Sequence, residues 1–164
     1  MIKFEKVSYE QFKKDCEKIS LWSEKEIKDA YDGIVLPKRA TKGSAGYDFV
    51  TPFAFNLCGE NDVFLIPTGI RVLMRSGVCL LLYPRSGLGF KTGMRLGNST
   101  GVIDYDYSYS DNEGHIMAKF VRGFKDIEVK QFERVMQGVF TPYFITDDDD
   151  VTEERNGGFG STGK

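Results

Sequence analysis

The sequence predicts a mainly β, single-domain protein with short N-terminal helices and a flexible, glycine-rich C-terminal segment. Its 164 residues are enough to bury one hydrophobic core. Short apolar runs separated by Gly, Pro and Ser turns fill the middle of the chain. That pattern is typical of a sandwich, jelly roll or barrel rather than a βαβ fold. Residues 1–34 and 147–164 follow different patterns and are treated as an extension and a tail.

The N-terminal extension, residues 1–34, carries two helix starts. Ser8 and Ser23 each begin a capping-box pattern, with Gln11 and Glu26 three residues later. These signals predict helices over residues 9–19 and 24–31.

The β domain is expected over residues 35–146. Strand candidates are residues 63–66, 70–74, 78–83, 116–121 and 135–145. The run at 78–83 is apolar throughout, which predicts a strand buried on both faces. Residues 147–164 begin with four aspartates and continue rich in glycine, so we expect them to be flexible unless a ligand orders them.

The composition narrows the classes of function. Charged residues are 28% of the chain and the formal net charge is −2, so we expect no nucleic-acid partner, which would need a basic face. The longest apolar run is far too short to cross a membrane. Three cysteines without C-x-x-C spacing argue against a disulfide framework or a thiolate zinc site. With no apolar leader at the start of the sequence, a cytoplasmic location is expected.

Two segments are suited to binding phosphate. Residues 84–89 (PRSGLG) follow the apolar strand and resemble a helix start, where an arginine fork and free N–H groups bind anions; a plain surface turn is the alternative. Residues 157–163 (GGFGSTG), with Arg155 upstream, have the parts of a phosphate-wrapping loop. A disordered tail is the alternative there, and Phe159, an aromatic without a local partner, argues against it.

Carboxylates supply the remaining chemistry. Asp48, Asp104 and Asp106 lie near glycines, where they either support Mg²⁺ through water and activate a water molecule, or make Asx turns. His115 ends the polar stretch 108–115. We interpret it as a solvated residue on an exposed hairpin tip and assign it no role.

Five segments in order resemble the motifs of the trimeric dUTPase family, in a form similar to bacterial and phage members. The match spans about residues 35–163. The segments are Ala45-Gly46-Tyr47-Asp48, Pro84-Arg85-Ser86-Gly87, residues 101–107 with Asn98 upstream, Arg134-Val135-Met136-Gln137, and Arg155 with residues 157–163. Each motif alone is weak, but five in this order are a specific signal.

The resemblance implies a jelly-roll-like dUTPase β-barrel and a homotrimer with shared active sites. It implies Mg²⁺-dependent hydrolysis of dUTP to dUMP and pyrophosphate by water attack on the α-phosphate, which keeps uracil out of DNA and supplies dUMP for thymidylate synthesis. Asp104 would be the catalytic base, and Asp48 would support Mg²⁺ through water. Base and sugar would contact Asn98, Gly101, Ile103, Asp104, Tyr107 and Phe159. Phosphates would contact Arg85, Ser86, Gly87, Gln137, Arg155, Gly160, Ser161 and Thr162.

The sequence departs from the common family pattern at four places. Six residues, 108–113, stand between Tyr107 and Gly114 where one is usual, so the hairpin tip is enlarged. Phe132 replaces a usual Gly, and Met136 a usual Ala. Arg155 is one residue closer to the Gly-Gly-Phe segment. The N-terminal helices lie outside the common core.

Two other functions stay open at this point. The first is a dCTP deaminase, which shares the fold. Its chemistry implies a catalytic glutamate on the strand after the third motif, but residues 116–120 (IMAKF) have no carboxylate. A nucleotide-dependent regulatory protein is the second alternative, with the 108–115 insertion and the N-terminal helices as free surfaces for a protein partner.

Overall fold

The computed structural model describes residues 1–155, which form twelve β-strands, three α-helices and one 3₁₀ helix. The helices are α1 (Tyr9–Ile19), α2 (Glu24–Gly33), α3 (Ser86–Thr92) and the 3₁₀ helix Tyr105–Tyr109. The strands are β1 (Lys3–Lys6), β2 (Lys38–Arg39), β3 (Tyr47–Val50), β4 (Phe55–Leu57), β5 (Val63–Pro67), β6 (Ile70–Leu73), β7 (Val78–Pro84), β8 (Arg95–Leu96), β9 (Gly101–Ile103), β10 (Met117–Val121), β11 (Ile127–Val129) and β12 (Arg134–Pro142). The predicted mainly β fold is confirmed.

All strand pairs are antiparallel. The largest sheet has the order β2-β3-β12-β7-β9, and three smaller sheets are β5-β10-β8, β1-β6 and β11-β4. β12 lies between β3 and β7, so that Gln137 pairs with Asp48 on one side and with Tyr83 on the other. This register brings the first, second and fourth motif segments to one edge of the fold.

The N-terminal extension is built into the core. Both helices are confirmed, with Ser8 and Ser23 capping them, and α2 runs two residues beyond its predicted end. β1 was not predicted; its only buried residue is Phe4, and it pairs with β6. Buried residues of the extension belong to the same apolar cluster as the sheets; they are Phe4, Val7, Phe12, Cys16, Ile27, Ala30 and Ile34. The division of the chain at residues 34 and 146 stays a prediction.

The strand predictions hold best where the apolar runs are longest. β5, β6, β7 and β10 match their predicted ranges to within one residue, and β7 is largely buried. The extension of the last strand to residue 145 was wrong, because β12 ends at Pro142, which has no N–H to continue a ladder. Phe144 and Ile145 beyond it are 94% and 70% exposed. Within residues 1–155, no helix is long and apolar enough to span a membrane.

Candidate active site

A cavity of about 360 Å³ lies where β9 runs into the 3₁₀ helix. Its lining residues are Cys79, Val102, Asp104, Tyr105, Asp106, Tyr143 and Arg155. Asp104 is the N-cap of the 3₁₀ helix, so its side chain leaves the chain where regular pairing with β7 stops. The carboxylates of Asp104 and Asp106 are 44% and 36% exposed, so both are open to a ligand that enters the cavity.

Arg155 joins these two carboxylates. Its Nη2 donates to Asp104 Oδ2, and its Nε donates to Asp106 Oδ1 at 2.9 Å. One planar guanidinium therefore serves two acids, as the fork geometry of arginine allows. The structure thus brings the third motif and the first residue of the fifth motif into one site.

Tyr107 lies beneath this arginine. The guanidinium carbon of Arg155 is 5.9 Å from the centre of the Tyr107 ring. Tyr107 is only 6% exposed, and its hydroxyl donates to the carbonyl of His115 at 2.8 Å and accepts from Asn112 Nδ2 at 2.8 Å. A ring held at its far end in this way has little freedom to move.

Among the described residues, Cys79 is the one thiol that lines the cavity. Burial raises the pKa of the Cys79 thiol, and the nearby Asp104 carboxylate raises it further. The thiol also donates to the Thr141 carbonyl at 3.6 Å. It is therefore protonated at neutral pH and unsuited to nucleophilic attack, which leaves the two aspartates as the basic groups of the cavity.

The turn between β8 and β9, with β9 itself, carries the residues that the sequence assigns to the base. Asn98 is exposed, and its carbonyl accepts from the Thr100 N–H at 2.7 Å. Gly101 is buried against β7, where an added Cβ would come within 3.1 Å of Leu82 Cβ. Ile103 is half-buried and pairs with Leu80.

A second cluster gathers the predicted phosphate residues near the start of α3. Arg85 is the N-cap of α3, and Ser86 and Gly87 follow it at an exposed helix start, as the sequence predicts. Arg85 Nε lies 3.6 Å from Asp48 Oδ1. Gln137 lies beside Asp48 across the β3–β12 pair.

Asp48 is the acid of this second cluster. In addition to Arg85, it is contacted by Arg134, whose Nη1 lies 3.0 Å from Asp48 Oδ2. The carboxylate therefore faces two cations. No group of three metal-ligating side chains occurs in the part of the chain that the structure describes. In this structure Asp48 is the ion-pair partner of Arg85 and Arg134, and its support of Mg²⁺ through water stays a prediction.

The two clusters stand at opposite ends of β7. Asp104 follows Ile103, which pairs with Leu80, so Asp104 lies near Cys79. Arg85 lies six residues further along, which is roughly 20 Å at about 3.3 Å per strand residue. A single chain therefore brings together each half of the predicted site but not the two halves.

His115 was misassigned from the sequence. It is fully buried, and its Nδ1 lies 2.8 Å from Asp15 Oδ2, while its Nε2 accepts from the Gly69 N–H at 2.8 Å. The prediction failed because the partner acid stands 100 residues away. A signal did exist in α1, where Gln11 and Asp15 share the helix face of Phe12 and Cys16; polar residues on an apolar face indicate a buried polar network.

The 108–115 insertion is also not the free surface that the sequence suggested. Its buried residues are Ser108, Ser110, Gly114 and His115. Glu113 accepts from the backbone N–H and the hydroxyl of Ser8, at 2.7 and 2.6 Å. Exposure within the insertion is concentrated at Tyr109 and Asp111. The remaining predicted site residues, Phe159, Gly160, Ser161 and Thr162, lie outside the described residues.

The fold and these two clusters define the class of protein. A mainly β chain with a carboxylate-lined cavity and a separate corner of arginine, hydroxyl and glycine at a helix start is suited to bind a phosphorylated small molecule and act on it.

Comparisons with known proteins all point to one family. Residues 32–163 match the family model described as dUTPase. The chain is 46% identical over 136 residues to the deoxyuridine 5′-triphosphate nucleotidohydrolase of Lactococcus lactis, covering 80% of this chain and 89% of that protein. The crystal structure of the Streptococcus mutans dUTPase has a TM-score of 0.65 at 33% identity, covering 88% of this chain and 98% of that one. The Staphylococcus bacteriophage 80alpha dUTPase with dUPNHPP shares the fold over 100% of this chain and 99% of its own, with a TM-score of 0.62 at 20% identity.

The chain belongs to the dUTPase family. It is accordingly a nucleotide hydrolase, and the jelly-roll-like β fold expected from the resemblance is confirmed.

Proposed function

We propose that this protein hydrolyses dUTP to dUMP and pyrophosphate with the help of Mg²⁺. The observation that carries the proposal is the cavity in which Asp104 and Asp106 meet Arg155 at the end of β9, in a chain of the dUTPase family. This chemistry would keep uracil out of DNA and supply dUMP for thymidylate synthesis. The expected location is cytoplasmic.

Asp104 is the general base of the proposed reaction. An ionised aspartate accepts a proton from water as the water oxygen attacks the α-phosphorus. The bond between the α-phosphorus and the bridging oxygen breaks, and the electron pair leaves with pyrophosphate. Because Arg155 pairs with Asp104 in this structure, its guanidinium must turn away from the carboxylate, toward the phosphates, when substrate enters.

Residues next to the cavity supply the selectivity in this proposal. Backbone groups of Asn98, Gly101 and Ile103 bind uracil, and Tyr107 packs against the deoxyribose. A narrow hairpin rejects thymine at its 5-methyl group. Cytosine presents the wrong donor and acceptor pattern, and each unpaired buried polar group costs about 1–3 kcal/mol.

In this proposal, Arg85, Ser86, Gly87 and Gln137 act on substrate bound beside Asp104 of another copy of the chain. Arg85, Ser86, Gly87 and Gln137 stand roughly 20 Å from Asp104 along β7, too far to bind the triphosphate of the same substrate. A closed homotrimer, in which one copy supplies Asp104 and a neighbour supplies Arg85, removes this separation. Bound Mg²⁺ would offset the charge of the triphosphate beside Asp48.

The C-terminal tail completes the proposed site. Phe159 stacks on the base, while Gly160, Ser161 and Thr162 bind phosphate together with Arg155. Donors that these residues add around the triphosphate would also exclude water from it.

The alternatives have less support. β10 carries no carboxylate for a deaminase, and the carboxylate of Glu113 is held by Ser8. A protein partner at the insertion would have to bind mainly through exposed Tyr109, which is 76% exposed, and Asp111.

Mixed oligomers test the shared site. Asp104→Asn and Arg85→Ala should each abolish pyrophosphate release from dUTP. Refolding the two variants together should restore about one quarter of the wild-type rate, because random assembly leaves both residues intact in about a quarter of sites formed between copies. Each variant refolded alone is the control. A mixture no more active than its components would contradict the shared site.

A further inference from the structure

We propose that the N-terminal helix α1 is a positioning element of the active site. Through Asp15 and His115 it fixes Tyr107, and thereby sets discrimination against substrates that carry a 2′-hydroxyl. This inference rests on the proposed function, since it assumes that Tyr107 packs against the deoxyribose.

An unbroken chain of hydrogen bonds runs from α1 to Tyr107. Asp15 on α1 bonds His115 through Oδ2 and Nδ1 at 2.8 Å. The carbonyl of His115 accepts from the Tyr107 hydroxyl at 2.8 Å. Two hydrogen bonds therefore link a helix outside the common family core to the ring beneath Arg155. A second link runs in parallel, because Glu113 accepts from both the N–H and the hydroxyl of Ser8, the N-cap of α1.

The protonation of His115 follows from its partners. A backbone N–H can only donate, so the Gly69 N–H requires a lone pair on Nε2. The single ring proton is then on Nδ1 and points at Asp15. His115 is therefore a fully oriented ring, with both nitrogens and its carbonyl engaged. A histidine held in this way couples α1 to Tyr107 through its fixed position.

Asp15, at the α1 end of the link to Tyr107, is held as firmly as His115. Its side chain is 7% exposed and accepts from Lys18 Nζ at 2.8 Å and from Gln11 Nε2 at 2.6 Å, as well as from His115. Buried acceptors with this many donors are rigid, because every alternative rotamer leaves a polar group unpaired.

Two of the departures from the common family pattern contact the N-terminal extension. The enlarged 108–113 segment contains Glu113, which holds the N-cap of α1. Phe132, which replaces a usual glycine, keeps a left-handed backbone with φ of 61° and places its ring on the end of α2, where a Cβ added to Gly33 would come within 2.3 Å of it. The extension and the segments that receive it thus form one unit.

The ratio of kcat/KM for dUTP to kcat/KM for UTP distinguishes a positioning role of α1 from simple support of the fold. The experiment compares kcat/KM for dUTP and for UTP in the full-length wild type, Asp15→Ala, Asp15→Asn and Glu17→Gln, with thermal unfolding confirming that each is folded. Glu17 is an exposed acid on the same helix, so Glu17→Gln is the matched control. Asparagine still accepts from His115 Nδ1, whereas alanine does not.

Asp15→Ala should lower the dUTP-to-UTP ratio at least about tenfold, the scale on which a pocket wall that loses its constraint stops rejecting one extra small group. Asp15→Asn should keep an intermediate ratio, and Glu17→Gln should stay within about twofold of wild type. If Asp15→Ala does not fold, Asp15→Asn and Glu113→Gln provide the same comparison.

Two results overturn the inference in distinguishable ways. If the wild type hydrolyses dUTP selectively and the folded variants keep its dUTP-to-UTP ratio, α1 only supports the fold and the proposed function stands. If the wild type does not hydrolyse dUTP, both the proposed function and this inference fall.

Discussion

Two aspartates in this molecule have opposite surroundings. Asp104 is 44% exposed and shares Arg155 with Asp106 in an open cavity. Asp15 is 7% exposed and is surrounded by His115, Lys18 and Gln11. An open carboxylate is available for chemistry, whereas an enclosed one with every oxygen occupied holds elements together. Each substitution below should affect activity or stability according to that division.

Asp104→Asn should have the largest effect on activity. Loss of a general base lowers turnover by about 10²–10⁴-fold, while an exposed ion pair contributes about 0–1 kcal/mol to stability. The variant should therefore unfold in urea almost as the wild type does, while it releases almost no pyrophosphate from dUTP. Binding of a non-hydrolysable dUTP analogue should persist. Substantial remaining turnover would show that another group is the base.

Removal of the tail after Val151 should also reduce turnover strongly without unfolding the protein. The deletion takes away Arg155, the cation of the cavity, while the apolar cluster lies entirely upstream. We expect a loss of turnover of about 10²-fold or more, as for other groups that position or stabilise the transition state. Circular dichroism and dUTP hydrolysis provide the two measurements. Unchanged kinetics would remove the tail from the mechanism.

Asp15→Asn should instead change stability in a pH-dependent way. Burial alone would raise the pKa of Asp15, but hydrogen bonds from His115, Lys18 and Gln11 outweigh it and hold the pKa well below its ordinary value of 3.8. The stabilisation is therefore present above that value and is lost as the pH falls through it toward the lower folded pKa.

The measurement for Asp15 is the difference in free energy of unfolding between wild type and variant. It should be about 1–3 kcal/mol near neutral pH and should shrink at about pH 3. Glu17→Gln is the control for loss of an exposed acid on the same helix. A difference that is unchanged or larger in acid would show that Asp15 is not charged in the folded protein.

The sequence anticipated the cavity better than the buried network, for a physical reason. Asp104, Tyr107 and Arg155 belong to short motifs whose order along the chain is itself a signal. The two helices followed from capping patterns that are local to Ser8 and Ser23. The link between Asp15 and His115 depends on a contact across 100 residues, which no local pattern reveals.

The shortest strands were not predicted from the sequence, for a related reason. β1 is four residues long and mostly polar, and its partner β6 begins more than sixty residues later. β8 and β9 have two and three residues, too few for a period of two to be visible. Their existence is decided by long-range pairing rather than by their own composition.

Phe132→Gly should have the smallest effect. Glycine removes the cost of a left-handed backbone, roughly 1–2 kcal/mol, but it also removes the ring that packs on the end of α2. These terms oppose each other, so the free energy of unfolding should change by no more than about 1 kcal/mol. A loss above about 3 kcal/mol, typical of a deleted core aromatic, would make Phe132 rather than Asp15 the main attachment of the extension.

Substrate selectivity is the most direct test of the proposed reaction. The wild-type protein is incubated with Mg²⁺ and, separately, with dUTP, dCTP, dTTP and UTP, and pyrophosphate is measured, with Asp104→Asn as the control. The account predicts efficient pyrophosphate release from dUTP alone. Equal release from the other nucleotides, or none from dUTP, would contradict it.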